Sequence, residues 1–182
     1  MTWLVIVDCQ NDFIDGSMAV PNAKTAINNI ISFIKLHRDE AIRIAFTMDW
    51  HPENHCSFKE QGGPWPSHCV QGQKGAELDF SLRVAAAECP KYEIRVPKGE
   101  DASLEQYGAF EDLDIDDALM VDFRKNDVIV CGIAGDYCVK ETISNLLKNE
   151  VKPKVFLKGV ASIDDGTTIK NFIEEHNLEV VE

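Results

Sequence analysis

Short apolar segments of this chain alternate with amphipathic segments of helical periodicity, and this alternation limits the folds that the chain can adopt. Six apolar segments have the length and β-branched content of strands, at residues 3–7, 43–48, 92–96, 127–132, 154–157 and 178–181. Helical spacing of apolar residues occupies residues 24–40, 113–123, 136–149 and 167–176. The pattern predicts a three-layer α/β fold, in which helices flank a six-stranded, mostly parallel sheet.

Reactive side chains follow four of the predicted strands, at the point where each strand ends. Asp8 follows the first strand, Asp49 and His51 follow the second, and Lys98 follows the third. Cys138 lies just beyond the fourth. Because the carboxyl ends of parallel strands meet at one edge of a sheet, where ligands bind, we expect these side chains to share one crevice.

The segment GIAGDYCV, residues 132–139, places Cys138 after an apolar strand and at the start of a predicted helix. A helix start offers unpaired N–H groups and the positive end of a dipole, and both favour a thiolate over a thiol. Taken alone, the segment is equally compatible with a structural cysteine buried beside an ordinary turn. The three other reactive strand ends favour a nucleophile.

The loop at residues 52–75 is irregular, and together with the strand end before it, it contains a candidate metal site. In Asp49-x-His51 both side chains lie on the same side of an extended segment, and His68 offers a third ligand from the far side of the loop. Mixed nitrogen and oxygen ligands favour zinc, with iron or manganese as alternatives, and three protein ligands leave positions open. His55 and Glu60 are further candidates. Without the nearby cysteine, these histidines would be read as surface loop residues.

These residues together predict nucleophilic chemistry. A cysteine needs a base, and Asp8 is the carboxylate at the end of a central strand, while Lys98 supplies a compensating charge. Attack on a carbonyl creates an oxyanion, which backbone N–H groups in the turn from Ala134 to Cys138 could stabilise. The predicted reaction is acyl transfer to water through a thioester.

Composition limits the number of domains, the classes of partner and the location that we expect. A chain of 182 residues with 45% hydrophobic content suits one domain, residues 1–182. A net charge of −13 argues against nucleic acid or an anionic membrane as a partner. No secretory signal or membrane span is recognisable, which predicts a cytoplasmic protein with reduced cysteines. Self-association is left open. We interpret five cysteines as structural or incidental: Cys9, Cys56, Cys69, Cys89 and Cys131.

The chain resembles the nicotinamidase/pyrazinamidase branch of the isochorismatase-like cysteine hydrolases, and the resemblance covers nearly its whole length. Six segments carry it in order: VDCQNDFIDGSMAVP (7–21), DWHPENHCSF (49–58), WPSHCVQGQKGAEL (65–78), PKG (97–99), YGAF (107–110) and GIAGDYCV (132–139). Each alone would be weak, but their combination and order are specific. Two departures, at Ser17 and Gly135, do not touch the expected chemistry.

The resemblance implies a role for each matched residue. The implied catalytic set is Asp8, Lys98 and Cys138, and the implied metal ligands are Asp49, His51 and His68. A cis peptide between Ile133 and Ala134 would turn the N–H groups of Ala134 and Cys138 toward the oxyanion. The positions that match aromatic contacts to a substrate ring are Phe13, Trp65 and Tyr107.

The resemblance also implies a small-molecule substrate: nicotinamide, hydrolysed to nicotinate and ammonia, and also pyrazinamide. The metal would hold the ring nitrogen, and the product would return toward NAD. An alternative is another cysteine hydrolase of the superfamily that acts on a carbamoyl or ureido amide. A vinyl-ether hydrolase of the isochorismatase type typically lacks the cysteine found here. A non-catalytic binding module with the same fold is disfavoured by the intact Asp8, Lys98 and Cys138.

Overall fold

The sheet has six strands, and helices pack on both of its faces. The computed structural model describes residues 1–40, 42–88 and 93–182. The strands are β1 (Thr2–Val7), β2 (Ile42–Asp49), β3 (Glu93–Lys98), β4 (Asp127–Ile133), β5 (Lys154–Ala161) and β6 (Val180–Val181). The helices are α1 (Asn11–Ile14), α2 (Ala23–Leu36), α3 (Phe80–Ala87), α4 (Ala118–Arg124), α5 (Lys140–Lys148) and α6 (Thr167–Glu175).

The strand order is β3-β2-β1-β4-β5-β6, and all the pairings between these strands are parallel. The chain moves outward from β1 to β3 on one side and then from β4 to β6 on the other. The order therefore reverses between β1 and β4, which is where α/β sheets of this kind bind ligands. The predicted fold class is confirmed, with a sheet that is parallel in every described pairing.

Strand β1 is central, and its side chains alternate between two cores. Leu4 and Ile6 belong to one buried cluster with α2 and α3, whereas Val5 and Val7 belong to the other with α4, α5 and α6. Burial on both faces explains why the strand is apolar throughout rather than alternating. Two packed faces also hold the carboxyl edge of the sheet rigidly.

Most predicted elements are confirmed, with differences at their ends. Helix α2 ends at Leu36 rather than at residue 40, and β5 continues to Ala161 rather than ending at residue 157. The predicted helix at 113–123 begins only at Ala118, because the side chain of Asp117 accepts a hydrogen bond from the N–H of Leu119 and caps the helix there. Helix α3 was not predicted. Tyr92, the first residue of the third predicted strand, and Cys89 lie outside the described residues.

The described cysteines are all free, namely Cys9, Cys56, Cys69, Cys131 and Cys138. Cys9 lies in the core on the α2 side of the sheet, and Cys138 lies in the core on the α5 side. Burial raises the pKa of Cys9, Cys69 and Cys131, which makes these thiols poor nucleophiles. In the described ranges, none of the helices combines the length and apolar character that crossing a membrane requires.

Candidate active site

The side chains at the carboxyl ends of β1, β2 and β4 meet around the ammonium group of Lys98, which lies at the end of β3. Its Nζ lies 2.8 Å from an Asp8 carboxylate oxygen and 3.7 Å from Cys138 Sγ, and it also donates a hydrogen bond to Asp49 Oδ1. Carboxylate oxygens of Asp8 and Asp49 and the sulfur of Cys138 all lie within 4.8 Å of one another. All four side chains are buried. The crevice predicted from the strand ends is therefore present.

Strand register places these groups side by side. Asp49 and Lys98, the last residues of β2 and β3, are direct partners across the sheet. Gly132 near the end of β4 pairs with Val7, and a Cβ on Gly132 would lie 2.1 Å from the Val7 carbonyl oxygen. Its φ of +122° is also a conformation that other residues rarely adopt. Glycine at this position allows β4 to approach β1 closely, just before the turn that carries Cys138.

Two buried polar residues that the sequence analysis did not identify hold the carboxylates in place. The hydroxyl of Thr47 donates to Asp8 Oδ1 at 2.6 Å. The side-chain amide of Gln10 donates to the Asp49 carbonyl oxygen at 2.7 Å and accepts from the Asp49 N–H at 2.8 Å. These bonds fix the backbone at the ends of β1 and β2 and leave the carboxylates facing Lys98.

The charges of the cluster support one another. Burial alone would raise the pKa of Asp49, but the Lys98 ammonium and the hydrogen bond with His51 hold it below its ordinary value. Burial alone would lower the pKa of Lys98, but the carboxylates of Asp49 and Asp8 raise it well above its ordinary value. Lys98 is therefore a cation and Asp49 an anion at neutral pH.

Asp8 and Cys138 differ from that pair. Burial, together with the negative charge of Asp49, raises the pKa of Asp8 above its ordinary value despite the attraction of Lys98. Burial also raises the pKa of the Cys138 thiol, and the two carboxylates oppose the effect of Lys98. The start of a helix favours a thiolate, and burial at this site opposes that preference. A carboxylate with a raised pKa is, however, well matched to accept the thiol proton.

Cys138 lies in a π-helical turn, Gly135–Val139, that precedes α5. The N–H groups of Tyr137 and Val139 donate to the Ala134 carbonyl oxygen at 3.1 and 3.0 Å. The peptide bond between Ile133 and Ala134 is cis, as the resemblance implied. Ala134 and Cys138 both line the pocket described below, while their role as oxyanion donors stays a prediction.

A second cluster, the metal-ligand triad of Asp49, His51 and His68, adjoins the first. Asp49 Oδ2 lies 3.4 Å from His51 Nε2 and 3.8 Å from His68 Nε2, whereas Asp49 Oδ1 faces Lys98. One ligand atom from each residue lies within 4.8 Å of the others, and all three residues are buried. Asp49 therefore links the thiol cluster to the triad.

Backbone contacts fix the tautomers of both histidines. His51 Nδ1 donates to the Gly99 carbonyl oxygen at 2.9 Å, and His68 Nδ1 donates to the Pro66 carbonyl oxygen at 2.8 Å. Each Nε2 is then left to face Asp49 with its lone pair, as metal ligation requires. Gly99 has a φ of +65°, and a Cβ there would lie 2.4 Å from the His51 ring, so glycine is needed at this contact.

The donor set fits a divalent metal ion, since two imidazole nitrogens and one carboxylate oxygen can converge on one point. Burial lowers the pKa of His68, which favours the neutral imidazole. Burial alone would lower the pKa of His51 as well, but its contact with Asp49 raises it. A bound cation would compete with that proton.

His55 and Glu60, the two further ligand candidates, do not join the triad. His55 Nδ1 and Nε2 are engaged with the Ser57 hydroxyl at 2.7 Å and the Leu104 carbonyl oxygen at 3.1 Å. Its ring stacks on that of His51, with 4.1 Å between centroids. Glu60 lies exposed in the 3₁₀ turn Lys59–Gln61. His55 instead connects the metal-ligand loop to the loop that follows β3.

A pocket of about 390 Å³ including its mouth opens onto both clusters. The three predicted aromatic residues, Phe13, Trp65 and Tyr107, all line it, together with Cys138 and His68. The Phe13 ring lies 5.4 Å from the His68 ring, centroid to centroid, and Trp65 Nε1 donates to the Tyr107 hydroxyl at 3.0 Å. A small planar ligand could therefore contact aromatic side chains, the thiol and the triad together.

Further pocket residues were not predicted from the sequence. Tyr137 packs edge-on against Trp65, with 5.3 Å between centroids, and tilts against Tyr107 at 5.4 Å. Its position directly before Cys138 is a signal that could have identified it. The other unpredicted lining residues are Met18, Val20, Glu105 and Ile163. They come from segments without periodicity, where the sequence does not indicate which way a side chain points.

Asp136 connects the turn of Cys138 to the loop after β5, and we predict that this contact shapes the pocket. Its two carboxylate oxygens accept from the N–H groups of Ile163 at 2.9 Å and Asp164 at 3.0 Å. Asp136→Ala is expected to lower the free energy of unfolding by about 2 kcal/mol and to raise the KM several-fold, because Ile163 loses its anchor. Asp136→Asn, which keeps one acceptor, should lie between.

Urea denaturation and steady-state kinetics of the two variants check this expectation. Equal KM values for parent and Asp136→Ala would show that the contact does not shape the pocket.

Comparison with known proteins gives a consistent picture. The sequence profile of the isochorismatase domain matches residues 2–177. The nicotinamidase of Escherichia coli (strain K12) is 32% identical, and the match covers 88% of this chain and 83% of that relative. The range 2–177 of the domain match contains both side-chain clusters and the residues that line the pocket.

Two solved structures are similar over the whole chain. The pyrazinamidase of Pyrococcus horikoshii in complex with zinc has a TM-score of 0.82 and 32% identity, and the match covers 100% of this chain and 98% of that one. A yeast nicotinamidase bound to the inhibitor nicotinaldehyde has a TM-score of 0.84 and 30% identity, with both chains fully covered.

Proposed function

This chain belongs to the isochorismatase family of hydrolases, and we propose that it is a nicotinamidase that converts nicotinamide to nicotinate and ammonia and also hydrolyses pyrazinamide. One observation carries the proposal: a buried lysine joins Asp8 and Cys138 in a pocket that also contains the Asp49, His51 and His68 triad. The relatives that act on nicotinamide or pyrazinamide, at about 30% identity over most of the chain, support the substrate.

In the first half of the proposed reaction, Asp8 accepts the proton of the Cys138 thiol while the sulfur attacks the carboxamide carbon. Lys98, which contacts both groups, stabilises the negative charge as it moves from carboxylate to sulfur. The carbonyl oxygen becomes an oxyanion, for which we propose the N–H groups of Ala134 and Cys138 as donors. Asp8 then returns the proton to the amide nitrogen, the C–N bond breaks, and ammonia leaves.

In the second half, the thioester carbon on Cys138 is attacked by water. Asp8, now ionised again, accepts a proton from that water, and the C–S bond breaks as the carboxylic acid forms. Asp8 passes its proton to the sulfur, which restores the resting thiol. The raised pKa of Asp8 suits this alternation, because the residue must gain and lose a proton in each half-reaction.

We propose that Asp49, His51 and His68 hold a divalent metal ion, with zinc favoured by the two imidazole ligands and by the zinc complex of the Pyrococcus horikoshii relative. When bound, the ion supplies a Lewis acid that can hold the ring nitrogen of the substrate. Phe13, Trp65 and Tyr107 would contact the faces and edge of the ring, and the carboxamide would then point at Cys138.

Replacing His51 by alanine is expected to remove most of the bound metal and to raise the KM for nicotinamide by at least tenfold, because one of three ligands is lost. Metal analysis of the purified variant by mass spectrometry, beside steady-state kinetics, measures both effects. His176→Ala, a histidine on the exposed end of α6, is the matched control. Parental metal content in a folded His51→Ala protein would contradict the ligand assignment.

Ammonia release from nicotinamide by the purified, metal-loaded protein tests the proposed function. The assay includes pyrazinamide, a carbamoyl amide and a ureido amide as competing candidates. Release from the ring amides alone is the expected result. Release from only the carbamoyl or ureido compounds would favour the alternative function, in which the triad would have no ring nitrogen to bind.

Three statements from the sequence stay predictions: a single domain over residues 1–182, a location in the cytoplasm, and an absence of nucleic acid or membrane partners. Ligand complexes of the relatives support a small molecule as the partner. Self-association is a separate question, which sedimentation or light scattering would answer.

A further inference from the structure

Glu105 is a half-buried carboxylate in the pocket wall that the proposed reaction does not use. It lines the pocket together with Asp49, His68 and Cys138, and it belongs to the irregular loop that follows β3. A half-buried carboxylate in the wall of a largely apolar pocket loses hydration, which costs free energy unless a partner compensates for it. We therefore ask what a carboxylate at this position does to a bound ligand.

Hydrogen bonds on both sides of Glu105 hold its backbone in place. The carbonyl oxygen of Leu104 accepts from His55 Nε2 at 3.1 Å. The side chain of Gln106 accepts from the Gly99 N–H at 2.9 Å, and the Gln106 N–H donates to Glu105 Oε1 at 3.1 Å. Hydrogen bonds therefore anchor the loop on both sides of Glu105, and one oxygen of its carboxylate accepts from the next N–H in the chain.

Among the described residues, no lysine, arginine or histidine forms an ion pair with Glu105. Lys98 is already shared by Asp8 and Asp49, and a cation in the metal-ligand triad would be held by Asp49, His51 and His68. Burial and the charge of Asp49 raise the pKa of Glu105, and the attraction of His51 opposes this. The test is therefore made at pH 8, on the alkaline side of the ordinary carboxyl range.

The proposed substrate and product differ in charge at the same position. Nicotinamide is neutral, whereas nicotinate is an anion, and both carry the same ring. A fixed carboxylate in the wall repels the anion and leaves the neutral amide nearly unaffected. Resting on the proposed function, we infer that Glu105 makes the pocket select neutral ring amides over ring carboxylates and thereby speeds release of the product.

The test compares Glu105→Gln, which removes the charge and keeps the shape, with the parent at pH 8. Affinities for nicotinate and nicotinamide are measured by calorimetry with Cys138→Ala in both backgrounds, so that nothing is turned over, and with equal metal content. The ratio of nicotinate to nicotinamide affinity is expected to rise about tenfold in Glu105→Gln. The effect should shrink as salt is added, because the pocket mouth is open to solvent.

Two further variants separate charge from structure. Glu105→Asp, which keeps the charge, should retain the parental ratio. Glu100→Gln makes the same change at an exposed glutamate of the same loop, outside the pocket wall, and should also retain it. An unchanged ratio in Glu105→Gln, or parallel changes in both affinities, would overturn the inference. So would a failure of nicotinate to bind either protein at millimolar concentration.

The outcome is independent of the ammonia assay. If the protein did not hydrolyse nicotinamide and Glu105→Gln still bound nicotinate tenfold more tightly relative to nicotinamide, the proposed function would fail and charge selection by Glu105 would stand. If hydrolysis occurred and the affinity ratio did not change, the proposed function would stand and charge selection by Glu105 would fail.

Discussion

Replacing Cys138 by alanine is expected to reduce ammonia release by a factor on the order of 10⁴ or more, because no other described thiol lies in the pocket to attack the carbonyl carbon. The variant should stay folded and should keep its metal, since the lost sulfur is not part of the metal-ligand triad. Steady-state kinetics with metal analysis and thermal denaturation measure all three properties.

Cys56→Ala is the matched control for this change. Cys56 is free and half-buried, and it lies in the loop that carries the metal ligands, but it does not line the pocket. Parental turnover is expected from that variant. Turnover by a folded Cys138→Ala protein within tenfold of the parent would mean that the thiol is not the nucleophile.

Replacing Lys98 by methionine is expected to have the second largest effect, and it should act on stability as well as on turnover. Without the ammonium, the carboxylates of Asp8 and Asp49 are buried together with no cation between them. Leaving charges buried and unpaired should lower the free energy of unfolding of the metal-free protein by about 3 to 5 kcal/mol. Turnover should fall at least about 10³-fold, because the thiolate loses its nearest positive charge.

The double variant Asp8→Asn/Lys98→Met separates the two effects. It removes one of the two carboxylates together with the cation, so part of the lost stability should return, whereas turnover should stay absent because the base is missing. Urea denaturation of the metal-free proteins and ammonia release provide the measurements. A Lys98→Met protein as stable as the parent would contradict the view that this lysine holds the cluster together.

The convergence of the side chains at the strand ends could be predicted because it depends only on strand order and direction. Asp8, Asp49, Lys98 and Cys138 each follow an apolar segment, and parallel strands bring their ends to one edge without any knowledge of loops. The register that makes Asp49 and Lys98 direct partners was not predicted and is seen only in the structure. The spacing of Asp49 and His51 along an extended segment likewise limits where a metal could lie.

The remaining parts of the site could not be predicted, because they depend on contacts between distant segments. Glu105 and Ile163 enter the pocket from irregular loops whose paths are fixed by His55 and Asp136. Helix α3 was missed because its eight residues are short for periodicity, and Phe80 at its start is exposed. The local sequence does not indicate hydrogen bonds between segments that are distant along the chain.

The pKa of Cys138 likewise could not be predicted from the local sequence. A position at a helix start predicts a lowered pKa, since the dipole is a local property. In the structure, burial and two nearby carboxylates outweigh that effect and raise the pKa of the thiol. Burial is a property of the folded chain, so local sequence could not predict the raised pKa of this thiol.

The central claim, that Cys138 forms a thioester with the carboxamide carbon, is tested most directly by trapping that intermediate. The metal-loaded protein is mixed with excess nicotinamide, quenched in acid within milliseconds, digested and analysed by mass spectrometry. A nicotinoyl group on the peptide that contains Cys138, absent from the Cys138→Ala protein, is the result that we predict. A nicotinoyl group on another residue, or none on any peptide during sustained turnover, would contradict it.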